Sequence, residues 1–230
     1  AKQQIIYICR GDETETYIPR FTYMGFRYIE VSGIRAENIH ITACAVYSGL
    51  IENGMFACSE DRINRLQSNI LWSGRSNFVD IPTDCPQRDE RQGWTGDIAL
   101  FVNTALYLFD MDRFLKKWLR DLKFEQSALG ALPFVVPERP GVTPKITTSC
   151  WGDSCILVPY ALYREYGDKE ILEKMYPVMR KYLKDVERFS ALSAIRWHSP
   201  YIFALPFQFG DWCAPEGGVR EWLSRGPWIG

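Results

Sequence analysis

The chain has 230 residues, of which 47% are hydrophobic and 14% aromatic, so it is long and apolar enough for one large or two small folded domains. A formal net charge of −1 gives no basic surface of the kind that binds nucleic acid, and no apolar run is long enough to cross a bilayer. The seven cysteines are an odd number without a Cys-x-x-Cys pair, which favours reduced thiols and a cytoplasmic location.

Residues 1–58 have the composition of β-strands. Short runs of β-branched and aromatic residues alternate with glycine-containing turns, which predicts four or five antiparallel strands. The runs are Ile5–Cys9, Phe21–Tyr23, Phe26–Val31, Ile39–Tyr47 and Met55–Cys58. Four strands leave edges that need more chain to cover them, so we interpret residues 1–58 as the C-terminal part of a β-sandwich domain. The chain begins within a strand pattern, which predicts further residues before it, and any leader would lie there.

Residues 59–230 have helical periodicity, and this change of period is the predicted domain boundary. Ser59 is the expected N-cap of the first helix. A kink is expected at Pro159, and a break is possible before Pro177. A proline-rich loop at residues 127–150 contains an apolar stretch, 132–137, that we expect to be packed. Residues 190–230 are rich in aromatic residues and are predicted to form loops with little regular structure. The predicted helices cover residues 60–76, 94–108, a stretch from Asp110 or Asp112, 153–166 and 169–189. Helical spacing predicts an apolar stripe on the second, at Trp94, Ile98, Phe101, Ala105 and Leu108, and a buried face on the third, at Phe114, Leu115, Trp118, Leu119 and Leu122.

The densest group of functional residue types lies at positions 77–97. It contains five carboxylates, two arginines and one tryptophan, and Pro82 and Pro86 prevent a regular element from running through it. A helix is expected to start near Trp94, with Asp97 in its first turn. This stretch, called the acidic loop below, predicts a rigid loop that directs carboxylates to one region. The alternative is that its aspartates are turn formers and caps, and that Arg88 and Arg91 pair with them at the surface.

The residue types that remain as candidates for a functional site are carboxylates beside aromatic side chains. Only His40 and His198 are present, which leaves almost no material for a Ser-His-Asp or Cys-His site, and there is no glycine-rich phosphate loop. Cys150 and Cys155 lack a further ligand at suitable spacing, so neither a metal nor a cofactor is expected. Acids that move protons and aromatic faces that cover sugar rings are typical of carbohydrate processing.

Two shorter motifs repeat this theme. Cys150-Trp151-Gly152-Asp153 precedes a predicted helix, and Phe209-Gly210-Asp211-Trp212 lies in the aromatic tail. Each places an aspartate and a tryptophan at the end of a helix or loop. The alternative is that the two tryptophans belong to the core or to an interface and that the two aspartates are helix caps.

The acidic loop, Asn-Phe-Val-Asp-Ile-Pro-Thr-Asp-Cys-Pro-Gln-Arg-Asp-Glu-Arg-Gln-Gly-Trp-Thr-Gly-Asp, closely resembles the signature of bacterial α-L-rhamnosidases of glycoside hydrolase family 78. The resemblance extends over nearly all of the chain. It includes residues 19–28, which resemble the β segment before the catalytic domain, and the two motifs around Trp151 and Trp212. One departure is Gln92, where the family usually has an apolar residue, most often Leu.

The resemblance implies an (α/α)6-barrel catalytic domain, of which residues 59–230 would be the N-terminal half, and hydrolysis of terminal α-L-rhamnosyl residues with inversion. The implied partner is a rhamnose-containing glycoside or oligosaccharide. By position, Glu90 matches the general acid. The other implied substrate-binding residues are Asp84 and Asp97 for sugar hydroxyls, Arg88 for carboxylate or sugar oxygens, and Trp94, Trp151 and Trp212 as aromatic walls.

The neighbours of Glu90 fit this role. Like charge from Asp89 and desolvation beside Trp94 are expected to raise the affinity of Glu90 for its proton, as a general acid requires near neutral pH.

An inverting enzyme also needs a second carboxylate as base. In the family this residue lies far downstream, so we expect the base to be missing from this chain and the barrel to be incomplete. A half barrel exposes an apolar face, which predicts instability or self-association. Three alternatives stay open: a non-catalytic rhamnose-binding protein on the same fold, a different (α/α)6 hydrolase or lyase, and an all-α scaffold with an acidic loop.

Overall fold

The computed structural model describes residues 3–11, 13–139, 145–197, 201 and 203. The chain divides into two compact units. The first unit contains the described residues up to Leu50 together with Phe56–Gln92, and the second contains Ile51–Met55 and the described residues from Gly93 onward. The acidic loop is therefore divided, because the boundary falls between Gln92 and Gly93. The predicted boundary between folding domains at residues 58 and 59 stays a prediction.

The predicted strands of the first unit are not seen in the structure. Among its described residues before Phe56, the one regular element is a 3-10 helix at Ala36–Asn38. Several of the apolar side chains expected in strands are exposed, including Ile8 at 84% and Phe21 at 106%. A strand is defined by its ladder of hydrogen bonds to a neighbour, and local alternation of residue types does not supply that neighbour.

Helix α1, Asp61–Asn77, leads directly into the acidic loop. Its N-cap is Glu60, whose side chain accepts a hydrogen bond from the backbone N–H of Arg62, so the predicted cap at Ser59 was one residue too early. The chain then forms a hairpin in which strand β1, Phe78–Val79, pairs antiparallel with strand β2, Ile81–Pro82. Asp80 makes the turn between them with a φ of 65°. The start of the acidic loop is thus a short hairpin rather than an irregular segment.

The second unit is helical, as predicted. Its helices are α2, Thr95–Leu108; α3, Asp112–Glu125; α4, Ser154–Tyr166; and α5, Lys169–Trp197. Helix α4 is central, because it packs against α2, α3 and α5. It continues through Pro159 and ends at Gly167, whose φ of 68° is the left-handed conformation that glycine adopts readily. Helix α5 also continues through Pro177, where the sequence had suggested a possible break.

Helix α3 has the inner face that its spacing predicts. All five of the expected residues are buried: Phe114, Leu115, Trp118, Leu119 and Leu122. The Trp118 indole N–H donates a hydrogen bond to the carbonyl oxygen of Val136 at 3.3 Å. The apolar stretch of the long loop is therefore packed on α3, which confirms the prediction that it is not a solvated loop.

Helix α2 differs from its prediction in one respect. Its buried side includes Ile98, Val102 and Ala105, but Phe101, which was expected on the same stripe, is 37% exposed. Leu100 and Tyr107 are exposed at 73% and 79%. Helix α2 therefore has apolar residues on two faces, and a helix that is apolar on all sides is usually buried on all sides.

Candidate active site

In the first unit, hydrogen bonds between Asp84 and Gln92 close the central part of the acidic loop. The Asp84 carboxylate accepts a hydrogen bond from the Gln92 backbone N–H at 2.9 Å, and the Asp84 N–H donates to the Gln92 carbonyl oxygen at 3.0 Å. The Asp84 side chain is only 5% exposed. Residues 84–92 thus form a loop with fixed ends, which agrees with the rigid loop expected from the sequence.

Arg88 connects two carboxylates of this loop. Its guanidinium lies 2.6 Å from Asp84 Oδ2 and 3.2 Å from Glu90 Oε2. The Arg88 side chain is 57% exposed and that of Glu90 is 32% exposed, so the Glu90 carboxyl is oriented by a cation while it is still open to solvent. Both the surface-pair alternative and the family resemblance predict such a contact, so the ion pair alone does not decide between them.

The environment of Glu90 differs from the one expected. Asp89 is exposed, and an ion-pair partner of Glu90 is the cation Arg88. The unusually high proton affinity that the sequence suggested for Glu90 stays a prediction.

The flank of the loop rests on the N-terminal part of the same unit. Arg91 donates from Nη1 to the carbonyl oxygen of Tyr23 at 2.6 Å, and its guanidinium lies 5.5 Å from the centre of the Tyr23 ring. A Cβ atom on Gly25 would lie 2.9 Å from Gln87 Cα and from the Pro86 carbonyl oxygen. The loop and this segment are therefore in backbone contact, which only glycine at position 25 allows.

In the second unit, Trp94 lies beside the long loop. The backbone of Trp94 forms an antiparallel bridge with Val135, and the Val136 N–H donates to the Gly93 carbonyl oxygen at 2.9 Å. The Thr95 N–H donates to the Phe134 carbonyl oxygen at 2.8 Å. These backbone contacts hold Trp94 at the start of α2, and none of them involves its side chain.

The structure brings the side chains of Trp94 and Trp151 onto one apolar cluster. Both pack against buried Phe134 and Val135, together with Ile146. We call this cluster, with its two tryptophans, the aromatic wall. It joins residues that are 57 positions apart in the sequence.

Trp151 lies against the first turn of α2. A Cβ on Gly96 would lie 2.7 Å from its indole ring, so the small residue lets the ring approach the helix. Asp97, the next residue, is exposed. Burial, followed by the negative charges of Asp153 and Asp97, raises the pKa of the Cys150 thiol. Asp97 directly follows Gly96, the residue that the Trp151 indole contacts, so it lies in the same turn of α2 as that contact.

Two side chains hold this turn, Asp153 of the predicted motif and Tyr182, which sequence reasoning missed. Asp153 accepts hydrogen bonds from the Cys150 N–H and from the Tyr182 hydroxyl, each at 2.8 Å. Asp153 occupies the N-cap position of α4, but its side chain makes no capping bond, so the alternative in which it serves as a helix cap is not supported. Tyr182 lies on the buried face of α5, four residues after Val178, and that spacing was the signal that could have found it.

The predicted site residues thus fall into two groups. Asp84, Arg88 and Glu90 are together in the first unit, and Trp94, Asp97 and Trp151 are together in the second. Trp212 lies outside the described residues. Among the residues that the structure describes, no three His, Cys, Asp or Glu side chains are grouped to hold a metal ion, and none of the described helices could span a membrane.

A comparison with family models connects both units to one class of protein. Residues 52–225 match the bacterial alpha-L-rhamnosidase 6 hairpin glycosidase domain, and residues 1–47 match the bacterial alpha-L-rhamnosidase concanavalin-like domain. The helices of the second unit are thus those of a helical-hairpin glycosidase domain. Because the first match covers well over half of the chain, the chain belongs to the bacterial alpha-L-rhamnosidase family.

Curated relatives agree. An alpha-L-rhamnosidase of Formosa agariphila is 41% identical over 181 residues, which are 77% of this chain and 19% of the relative. An alpha-L-rhamnosidase of Streptomyces avermitilis is 38% identical over 208 residues, which are 90% of this chain and 19% of the relative. The chain therefore spans about a fifth of the length of the relatives that it matches.

Solved structures give the same result. The crystal structure of the Streptomyces avermitilis alpha-L-rhamnosidase complexed with L-rhamnose superposes with a TM-score of 0.63 at 37% identity, covering 72% of this chain and 15% of the other. The native enzyme from Aspergillus terreus superposes with a TM-score of 0.60 at 38% identity, covering 75% and 19%. At these identities, the likeness extends to sequence as well as fold.

Proposed function

We propose that this chain is part of a glycoside hydrolase that releases terminal α-L-rhamnose from rhamnosides with inversion of configuration, with Glu90 as the general acid. The observation that carries the proposal is the arrangement of Asp84, Arg88 and Glu90 in the acidic loop. Arg88 contacts both carboxylates, and the family membership of the chain supplies the reaction for which such a loop is suited.

Glu90 is suited to give a proton to the leaving oxygen of the glycosidic bond. Its carboxyl is 32% exposed, so a substrate can reach it, and the contact with Arg88 limits its orientations. A positioned acid of this kind accounts for about 10²- to 10⁴-fold of a reaction rate.

Asp84 and Asp97 are proposed to accept hydrogen bonds from sugar hydroxyls. A carboxylate has about four lone-pair sites, so Asp84, which already receives Gln92 N–H and Arg88, retains capacity for a hydroxyl. Trp94 and Trp151, with Trp212 from outside the described residues, are proposed to cover the apolar side of the rhamnose ring and its methyl group.

The general base is proposed to come from outside this chain. Inversion requires a second carboxylate about 6.5–9.5 Å from the acid, with room for a water between them. We propose that residues 59–230 are the N-terminal half of an (α/α)6 barrel in a longer protein, called the full-length protein below, and that residues 1–58 close a β-sandwich domain there. The second half of the barrel would supply the base.

The exposed residues of α2 support an incomplete barrel. Leu100 and Tyr107 are more than 70% exposed, and we propose that later helices of the full-length protein cover them. In the isolated chain the same surface would promote self-association, which light scattering at increasing concentration would reveal.

The proposal is tested by incubating the full-length protein and the 230-residue chain with an aryl α-L-rhamnoside and following the reaction by NMR. We expect the full-length protein to release rhamnose whose first-formed anomer is inverted, and the isolated chain to release none. Retention of configuration would overturn the inverting mechanism. Binding of rhamnose without turnover by the full-length protein would identify a carbohydrate-binding protein instead.

A further inference from the structure

The turn that carries Trp151 is held by Tyr182 of α5, a residue outside the motifs described in the sequence analysis. We propose that Tyr182 is a positioning residue for Trp151: its hydroxyl fixes the turn at residues 148–153 so that the indole stays against α2 beside Asp97. The inference rests on the proposed role of Trp151 as a wall for the sugar.

The Tyr182 hydroxyl is placed between two acceptors on either side of the turn. It lies 2.8 Å from Asp153 Oδ1 and 3.1 Å from the carbonyl oxygen of Thr148. Tyr182 is 1% exposed, and burial together with the charge of Asp153 raises the pKa of its hydroxyl. The hydroxyl therefore stays protonated and remains a donor over the range in which enzymes work.

Asp153 links the Tyr182 hydroxyl to the backbone of the turn. Its second carboxylate oxygen accepts the Cys150 N–H at 2.8 Å, and Cys150 has a φ of 68°, in the left-handed region that non-glycine residues rarely adopt. Such a conformation persists where its surroundings enforce it. The bonds to Asp153 and, through it, to Tyr182 are those surroundings.

The rings on both sides of the turn are in close contact with glycines. A Cβ on Gly152 would lie 2.4 Å from the Tyr182 ring, and a Cβ on Gly96 would lie 2.7 Å from the Trp151 indole. The Trp151 ring therefore packs against α2, and the turn that carries it packs against the Tyr182 ring. Loss of the hydroxyl leaves the ring in place but frees the turn to move.

A double-mutant cycle in the full-length protein tests the coupling. We expect Y182F to raise KM for an aryl α-L-rhamnoside by about 3- to 10-fold, the size of one hydrogen bond, with kcat nearly unchanged. W151F is also expected to raise KM. Because Tyr182 acts through Trp151, Y182F is expected to add nothing in the W151F background. Independent, additive effects of the two substitutions would overturn the proposal. Y160F, at an exposed tyrosine of α4, is the matched control.

A second readout does not depend on activity. Cys150 is partly buried in the turn, so the rate at which iodoacetamide alkylates it, measured by mass spectrometry of its peptide, reports on the turn directly. We expect Y182F to raise this rate severalfold while the rate at exposed Cys58 is unchanged. An unchanged Cys150 rate would overturn the positioning role even if KM rises. A faster Cys150 in a protein that does not act on rhamnosides would leave the restraint of the turn in place and refute the proposed function alone.

Discussion

The part of the acidic loop before residue 93 and the aromatic wall, which begins at Trp94, are stabilised in different ways. The loop is fixed by a carboxylate, Asp84, that binds a backbone N–H and a guanidinium. The wall is fixed by backbone bonds between residues 93–95 and 134–136 and by buried apolar contacts. Charge-assisted bonds respond to ionisation and salt, whereas packed side chains respond to volume. We therefore expect changes of charge or salt to destabilise the loop and changes of side-chain volume to destabilise the wall.

The largest expected effect is on catalysis by the loop. We expect E90Q to lower kcat of the full-length protein on an aryl α-L-rhamnoside by about 10²- to 10⁴-fold, because glutamine keeps the shape of the side chain but cannot give up a proton as an acid. The thermal midpoint should change little. D89N, at the exposed neighbouring position, is the control, and an equal loss of kcat in D89N would contradict the assignment of Glu90.

The next effect is on the stability of the loop. D84N removes the charge that receives both Arg88 and the Gln92 N–H, and bonds to a charged group contribute about 1.5–3 kcal/mol each at most. We expect the free energy of unfolding, measured in urea, to fall by about 1–3 kcal/mol. A variant as stable as the wild type would show that the closed loop does not depend on this carboxylate.

A change of volume should affect the wall and not the loop. In G96A the new methyl would lie 2.7 Å from the Trp151 indole, and overpacking of this kind costs about 1–3 kcal/mol. We expect lower stability and weaker rhamnose binding, with no dependence on salt. G49A is the control, because a Cβ there meets nothing within 4 Å. A G96A variant with unchanged stability and affinity would mean that the ring can shift at no cost.

The smallest expected effect is a gain in stability at position 92. Gln92 binds Asp84 through its backbone, and among the described residues its side-chain oxygen is buried without a hydrogen-bond partner. Since the related signature usually has Leu here, we expect Q92L to raise the free energy of unfolding by about 1 kcal/mol by removing an unsatisfied polar atom. Q87L, at an exposed position of the same loop, should give no such gain. Destabilisation by Q92L would show that the amide has a partner.

The sequence predicted the parts of the fold that depend on local periodicity. The buried face of α3 was correct at each residue, and the start of α2 beside Trp94 was correct to one position, because the hydrophobic spacing and the turn residues act over one or two helical turns. The strands before residue 58 are not seen among the described residues and stay a prediction, because a ladder requires a hydrogen-bonded neighbour that a local pattern does not specify.

The candidate site was predictable where a motif is continuous and not where it is assembled by packing. Asp84, Arg88 and Glu90 lie within seven residues and are in contact. The pairing of Trp94 with Trp151 depends on Phe134 and Val135 of the long loop, and the seat of the turn depends on Tyr182 of α5. Nothing in the spacing of these residues indicates that they meet.

The two apolar faces of α2 also imply an order of events during synthesis. The inner face can collapse onto α4 as soon as residues 154–166 have left the ribosome, while Leu100 and Tyr107 stay uncovered. At about 5–20 residues per second, several seconds would pass before the proposed later half of the barrel could arrive. During that interval the nascent chain has a formed core and a persistent apolar surface, which is the state that chaperones recognise.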